Sequence, residues 1–353
     1  MPLEKNGVAV IVAAHNAQGT IRRAVRSALE QEHVCEVIVV DDASRDGTSA
    51  EARLADDGSG RLAIISLPEN GGPSRARNIA LDRSKAPYIC VLDSDDYFLP
   101  GRMASLLKAE VEPWDLLADD IVIVPEEAAH TQFSVASVDE PPVGVILDLA
   151  TFVDGNISHR TRLRGELGFL KPIIRREFLR KHALRYDEHL RLGEDYALYT
   201  KALMAGARFR VVGARGYVAT QRQGSISAQH SAQDLARIAQ FDEQCLATAS
   251  GLSAREKAAL AAHRTATRHK LRYRAVLDTR KARGLLPAVG MLVSNPTSLP
   301  FIASETISAK AVSVRRALGL SDAGRNDRGD QIRLLLELPQ SRLSIVTPSV
   351  SDA

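Results

Sequence analysis

Cysteine is scarce in this chain of 353 residues: Cys35, Cys90 and Cys245 stand far apart with no C-x-x-C spacing. Three such residues cannot build a disulfide framework or a thiolate zinc site, and they suit a reducing compartment. No charge sign dominates either. Lys and Arg number 46 against 43 Asp and Glu, a net +3, which argues against a dedicated nucleic-acid binder. Aromatic residues make up only 5%, and the basic stretch 253–283 holds no aromatic besides Tyr273, too little for a base-stacking surface. Long apolar runs are missing as well. The longest early one, Val8–Ala14, has seven residues and follows Glu4 and Lys5, too short to span a bilayer and weak as a secretory signal. A cytoplasmic protein is expected, with peripheral membrane contact left open. No G-x-x-x-x-G-K-[ST], H-E-x-x-H or G-x-S-x-G occurs, and the nine histidines show no ligand spacing. Gly58-Ser-Gly60-Arg-Leu-Ala63 matches G-x-G-x-x-A, but it precedes a strand pattern and does not join strand to helix, so a nicotinamide dehydrogenase is disfavoured.

What is present is a regular alternation. Val8–Ala14, Val34–Asp41, Leu62–Leu67 and Tyr88–Asp93 read as buried strands. Thr20–Gln31, Gly47–Ala55 and Pro73–Ser84 between them read as helices. That order predicts an α/β, mostly parallel, doubly wound sheet whose ligands bind at the strands' carboxyl ends. Asp115–Val124 reads as one further strand, followed by an excursion to about Gly144. A strand or helix pair over Gly168–Lys181, a helix Glu194–Ala205 and strands Arg208–Val212 and Gly216–Gln221 complete a catalytic domain over 1–230. Residues 231–320 form a basic helical region, with helices at 232–250, 254–283 and Ser304–Leu318. Within it, residues 253–316 carry 13 Lys and Arg against three Asp and Glu beside apolar pieces such as Leu285–Val293, a composition that suits an anionic bilayer as well as simple packing. Residues 321–353 are a polar tail suited to disorder, in which only Ile332–Leu338 is apolar enough to dock.

Five motifs follow strand ends or open helices. Asp93-Ser-Asp95-Asp96 gathers three carboxylates, a pattern that fits a hard divalent cation or, equally, the capped start of a helix. Asp41 and Asp42 could accept bonds from a ligand, while Ser44 and Asp46 read as helix caps. In Asn70-Gly-Gly72-Pro-Ser-Arg75-Ala-Arg77-Asn78, two arginines oppose the dipole of the helix they open, which suits an anionic ligand. Glu194-Asp195 offers either a general base or a helix-capping pair. Arg222 sits in a polar loop after a strand, where a guanidinium can clamp a diphosphate.

In this order the motifs resemble the family 2 inverting glycosyltransferases of the GT-A fold, over residues 7–227. The likeness implies that the strand and loop ending in Ala14, His15 and Asn16 cover a uracil, although the family usually has Pro and Tyr in place of Ala14 and His15. It implies that Asp42 binds the uracil N3, and that Asp93 and Asp95 act as a DxD motif toward the ribose and a bridging Mg²⁺ or Mn²⁺. Asp195 of the ED pair is implied as the base. The C-terminal Leu277-Asp-Thr-Arg-Lys-Ala-Arg-Gly-Leu further resembles succinoglycan-type exopolysaccharide glucosyltransferases, which implies UDP-glucose as donor and a polyprenyl-diphosphate-linked oligosaccharide as acceptor. The weaker alternative is a non-catalytic sugar-nucleotide-binding partner of a polysaccharide assembly complex.

Overall fold

A computed structural model describes residues 7–108, 113–128, 133–136, 144–157, 166–221, 230–248, 250–293, 298–304, 306–307, 332–338 and 342–345. Strands β1 (Val8–Ala14), β2 (Val34–Asp41) and β3 (Leu62–Ser66) alternate with helices α1 (Ile21–Leu29), α2 (Thr48–Arg53) and α3 (Pro73–Arg83). β4 (Tyr88–Val91), β5 (Tyr97–Phe98), α4 (Arg102–Lys108), β6 (Leu116–Asp119) and β7 (Val122–Pro125) follow. Next come β8 (Phe133–Ala136), β9 (Val145–Leu147), α5 (Leu149–Gly155), β10 (Ile173–Arg175), α6 (Arg176–Lys181), α7 (Glu194–Met204), β11 (Phe209–Val212) and β12 (Tyr217–Gln221). The C-terminal part supplies α8 (Ala232–Ala247), α9 (Ala254–Arg283), α10 (Leu285–Val293), β13 (Arg333–Leu334) and β14 (Arg342–Ile345).

The main sheet has the order β3-β2-β1-β4-β10-β6-β11-β9. β1 to β4 run parallel, and β10 is antiparallel to both its neighbours. The β1 run is almost wholly apolar because it is covered on both faces. Chain order reverses at β1, flanked by β2 and β4, so a crevice opens beyond their carboxyl ends.

The run Asp115–Val124, expected as one strand, is two. β6 belongs to the main sheet and β7 to a second sheet of order β13-β7-β12-β5. The break falls at Asp120 and Ile121, where two buried carboxylates must find partners. Asp119 accepts from Arg102 and from the backbone of Arg215 and Tyr217. Asp120 accepts from Leu336 N at 2.8 Å and Leu338 N at 3.2 Å. The polar tail therefore contributes two described strands: β13 pairs with β7, and β14 pairs with β8 from the excursion after β7. Most of the expected helix Ser304–Leu318 lies outside the described residues. α8 and α9 each open on a Ser capping box, Ser231 with Asp234 and Ser253 with Glu256, and Gly284 ends α9 at φ +87°.

Candidate active site

The crevice is a cavity of about 620 Å³. One wall comes from the β1 end and the start of α3: Ala14, His15, Asn16, Asp42, Asn70 and Gly72. Asp42 is buried and accepts from Gly71 N and Gly72 N, each at 2.8 Å. Gly72 is at φ +84° with Pro73 at the first helical position, so the turn bends back onto Asp42. His15 Nδ1 lies 2.8 Å from the Asp42 carbonyl, and Asn70 Nδ2 donates to that carbonyl at 3.1 Å. Asn16, at φ +52°, accepts from Arg45 N. Asp41 does not line the cavity; its carboxylate is taken up by Ser44 N and the Ser49 hydroxyl. Arg75 is not brought in either, and pairs with Glu69 at 3.2 Å.

The floor is an ionic cluster. Arg77, 5% exposed, reaches Asp93 at 2.8 Å, Glu194 at 2.8 Å and Asp195 at 3.1 Å. Lys171, 4% exposed, reaches Asp195 at 2.7 Å and Asp93 at 3.0 Å. Three carboxylates thus face two cations, leaving one negative charge in excess. Burial opposes the Asp93 charge, yet Lys171 and Arg77 hold that carboxyl at about 2. Burial pushes Glu194 up; Arg77 pulls against that, and the neighbouring Asp195 charge adds to it. Two links fix Lys171: its carbonyl accepts from Arg102 at 2.9 Å, and Arg102 is tied to Asp119 at 2.6 Å with both side chains fully buried.

The segment after β4 divides its acids. Asp95 lines the cavity beside Asp93 and Ser94, and its carbonyl accepts from Arg23 at 3.2 Å. Asp96 turns the other way, accepting from Tyr217 Oη at 2.7 Å and Thr220 N at 2.9 Å. Burial, with Asp95 and Asp93 nearby, pushes Asp96 well above the usual carboxylate range. Tyr217 Oη also accepts from Asp93 N, so one hydroxyl latches the turn. Arg222 lies outside the described residues.

Sequence reasoning missed Lys171 and a second group. Lys171 left a signal, a lone cation inside the apolar run Gly168–Ile174, which demands buried counter-charges. The other group, Tyr196, Asp242 and His263, comes from three helices that no single-helix periodicity could bring together.

Residues 9–133 match the family model described as Glycosyl transferase family 2. Succinoglycan biosynthesis protein ExoU of Rhizobium meliloti is 42% identical over 331 residues, 94% of this chain and 95% of that relative. UDP-Glc:alpha-D-GlcNAc-diphosphoundecaprenol beta-1,3-glucosyltransferase WfaP of Escherichia coli is 37% identical over 99 residues, 28% of this chain and 39% of that one. The crystal structure of S. aureus TarS 1-349 in complex with UDP-GlcNAc superposes with TM-score 0.53 at 20% identity, covering 82% of this chain and 79% of that chain. The fold is shared with that GT-A structure.

Proposed function

The chain belongs to glycosyl transferase family 2, and from that premise we propose that it inverts the anomeric centre of a UDP-hexose, moving the sugar to a lipid-linked oligosaccharide. The observation that carries the reading is the buried cluster of Asp93, Glu194 and Asp195 around Arg77 and Lys171, at the floor of a cavity whose other wall suits a nucleobase. Ala14, Asn16 and Asp42 are assigned to the uracil, with His15 as the ring beside it. Arg77, gripped by three carboxylates, organises the floor rather than standing open to the diphosphate.

A divalent cation would have a single protein carboxylate to meet here. Asp93 has each oxygen on a cation, and Asp96 spends both oxygens on Tyr217 and Thr220. Among the described residues, no group of three His, Cys, Asp or Glu could hold a metal. Asp95, which lines the cavity after Asp93 and Ser94, is the residue that would hold a Mg²⁺ or Mn²⁺ there, through the oxygen ligation such ions take. When bound, the metal neutralises charge on the departing UDP.

The chain's own part is proton handling and orientation. Asp195, held by Lys171 and Arg77, accepts the proton of the acceptor hydroxyl as that oxygen attacks the anomeric carbon and the bond to UDP breaks. The extra proton brings the cluster to neutrality, which its excess negative charge permits. A single displacement inverts the configuration. Succinoglycan-like exopolysaccharide as the product rests on the name of the R. meliloti relative and on the C-terminal resemblance; glucose as the hexose rests on that resemblance and, like the lipid-linked acceptor, on the name of the E. coli relative.

Lipid delivery also has a surface. No helix among the described residues is long and apolar enough to cross a membrane. The α10 end, however, exposes Leu285 and Leu286 beside exposed Arg280, Lys281 and Arg283, a combination that lies on an anionic bilayer. The direct test of the reaction is UDP release from UDP-glucose and UDP-galactose with a polyprenyl-diphosphate-linked glycan, with the anomeric proton of the product read by NMR. An inverted product supports the proposal, and a retained one overturns it.

A further inference from the structure

Asp242 of α8 is fully buried and accepts from Tyr196 Oη at 2.8 Å, while His263 Nδ1 of α9 lies 2.7 Å from its other oxygen. Tyr196 directly follows Asp195, and its ring lies 4.4 Å from the His263 imidazole. A buried carboxylate is costly unless its bonds are made, so Asp242 fixes both rings. Since an ionised carboxylate only accepts, Nδ1 carries the proton that it donates to Asp242, and Nε2 is the nitrogen left for another partner.

His263 and Tyr196 line the same cavity as Asp93 and Asp195, together with Phe169, an aromatic ring 38% exposed. Gly168, next to Phe169, packs so closely on Tyr196 that a Cβ there would sit 3.3 Å from the Tyr196 Cβ. Phe169, Tyr196 and His263 thus all line the cavity, Tyr196 directly after Asp195, on elements other than those that supply Asp42 and Asn70. An exposed aromatic face and an oriented imidazole lining one cavity are the chemistry that holds a neutral sugar: the ring takes the C–H face and the nitrogen a hydroxyl.

We infer that the Asp242-held His263, brought to the catalytic cavity by the C-terminal helices, forms with Phe169 a subsite for the acceptor sugar. The inference rests on the transferase reading and names the substrate class on the acceptor side of Asp195. Asp242 is a positioning residue in this scheme, acting through the imidazole.

The test is saturation-transfer difference NMR on the full chain with UDP and methyl β-D-glucopyranoside in one tube, for the wild type, His263→Phe and His263→Gln. The wild type is expected to show signals from both molecules. His263→Phe should lose glycoside signal by about fivefold or more, the worth of one neutral hydrogen bond, while UDP signals persist. His263→Gln, which keeps a polar group and spares the packing, should restore most of the loss. An absent glycoside signal in the wild type, or an unchanged one in His263→Phe, overturns the subsite. A His263-dependent glycoside signal with silent UDP upholds the subsite and instead removes the donor reading.

Discussion

Lys171 and Arg77 are the residues on which the site's charge balance turns. Replacing Lys171 with Met leaves three buried carboxylates facing one guanidinium, and should destabilise the fold by about 3–5 kcal/mol, the cost of breaking a buried ion pair, read from denaturant midpoints. Asp195→Asn keeps the shape but removes the proposed base, so transfer should fall by about 10²–10⁴-fold while UDP affinity, measured by calorimetry, holds. The pH dependence has two opposite signs. Asp93 sits at about 2 against an ordinary 3.8, so its stabilising contribution is complete above 3.8 and is lost as pH falls toward 2. Acid-unfolding curves of Asp93→Asn should lack that component. Glu194 is raised, so it takes up a proton on acidification before an ordinary glutamate would, and the cluster loses its excess charge. The acid limb of kcat/KM should therefore lie above the usual glutamate range, and Glu194→Gln should move it. At this scale the carboxylates were legible because acids after apolar strands stand out. Their partners were less so: Arg77 was read as facing an anionic ligand, whereas its three ligands are the protein's own carboxylates.

At the scale of elements, α7 places Glu194 and Asp195 in its first turn, where the helix dipole favours negative charge. Gly193 sets the entry at φ +75°, and a Cβ there would stand 3.2 Å from Ile238 Cδ1 of α8. Gly193→Ala should cost about 1–2 kcal/mol for the left-handed backbone alone, and kcat should fall with it because the strain is relieved by turning the two acids; paired unfolding and rate measurements check both. The strands β1 and β2 were readable to the residue because both faces are buried, which leaves an unbroken apolar run. Asp115–Val124 reads as one strand because its residues are mostly apolar, yet Asp119 and Asp120 each bind partners from distant chain and split the run between two sheets. Local pattern carries no record of such partners.

For the whole molecule, the basic C-terminal region meets the cavity through Ile238 of α8 and His263 of α9 and exposes an apolar, basic-flanked tip at α10. Charge asymmetry marked the region in the sequence, but which helix faces meet the cavity depends on packing between helices distant in the chain. Leu286 is 86% exposed, so the double variant Leu285→Glu, Leu286→Glu should fold normally yet lose binding to phosphatidylglycerol-containing vesicles at low salt; sedimentation with vesicles reads this, and equal binding by the variant would remove the membrane contact. The central claim, that the crevice beyond β1, β2 and β4 is a UDP-sugar site served by Asp95, is tested most directly by calorimetric titration of UDP and UDP-glucose into the wild type and Asp95→Ala, with and without Mn²⁺. The account predicts binding that Mn²⁺ strengthens in the wild type and that Asp95→Ala reduces to a metal-independent remainder. Absence of UDP binding to the wild type, or Mn²⁺-dependent binding unchanged in Asp95→Ala, would contradict it.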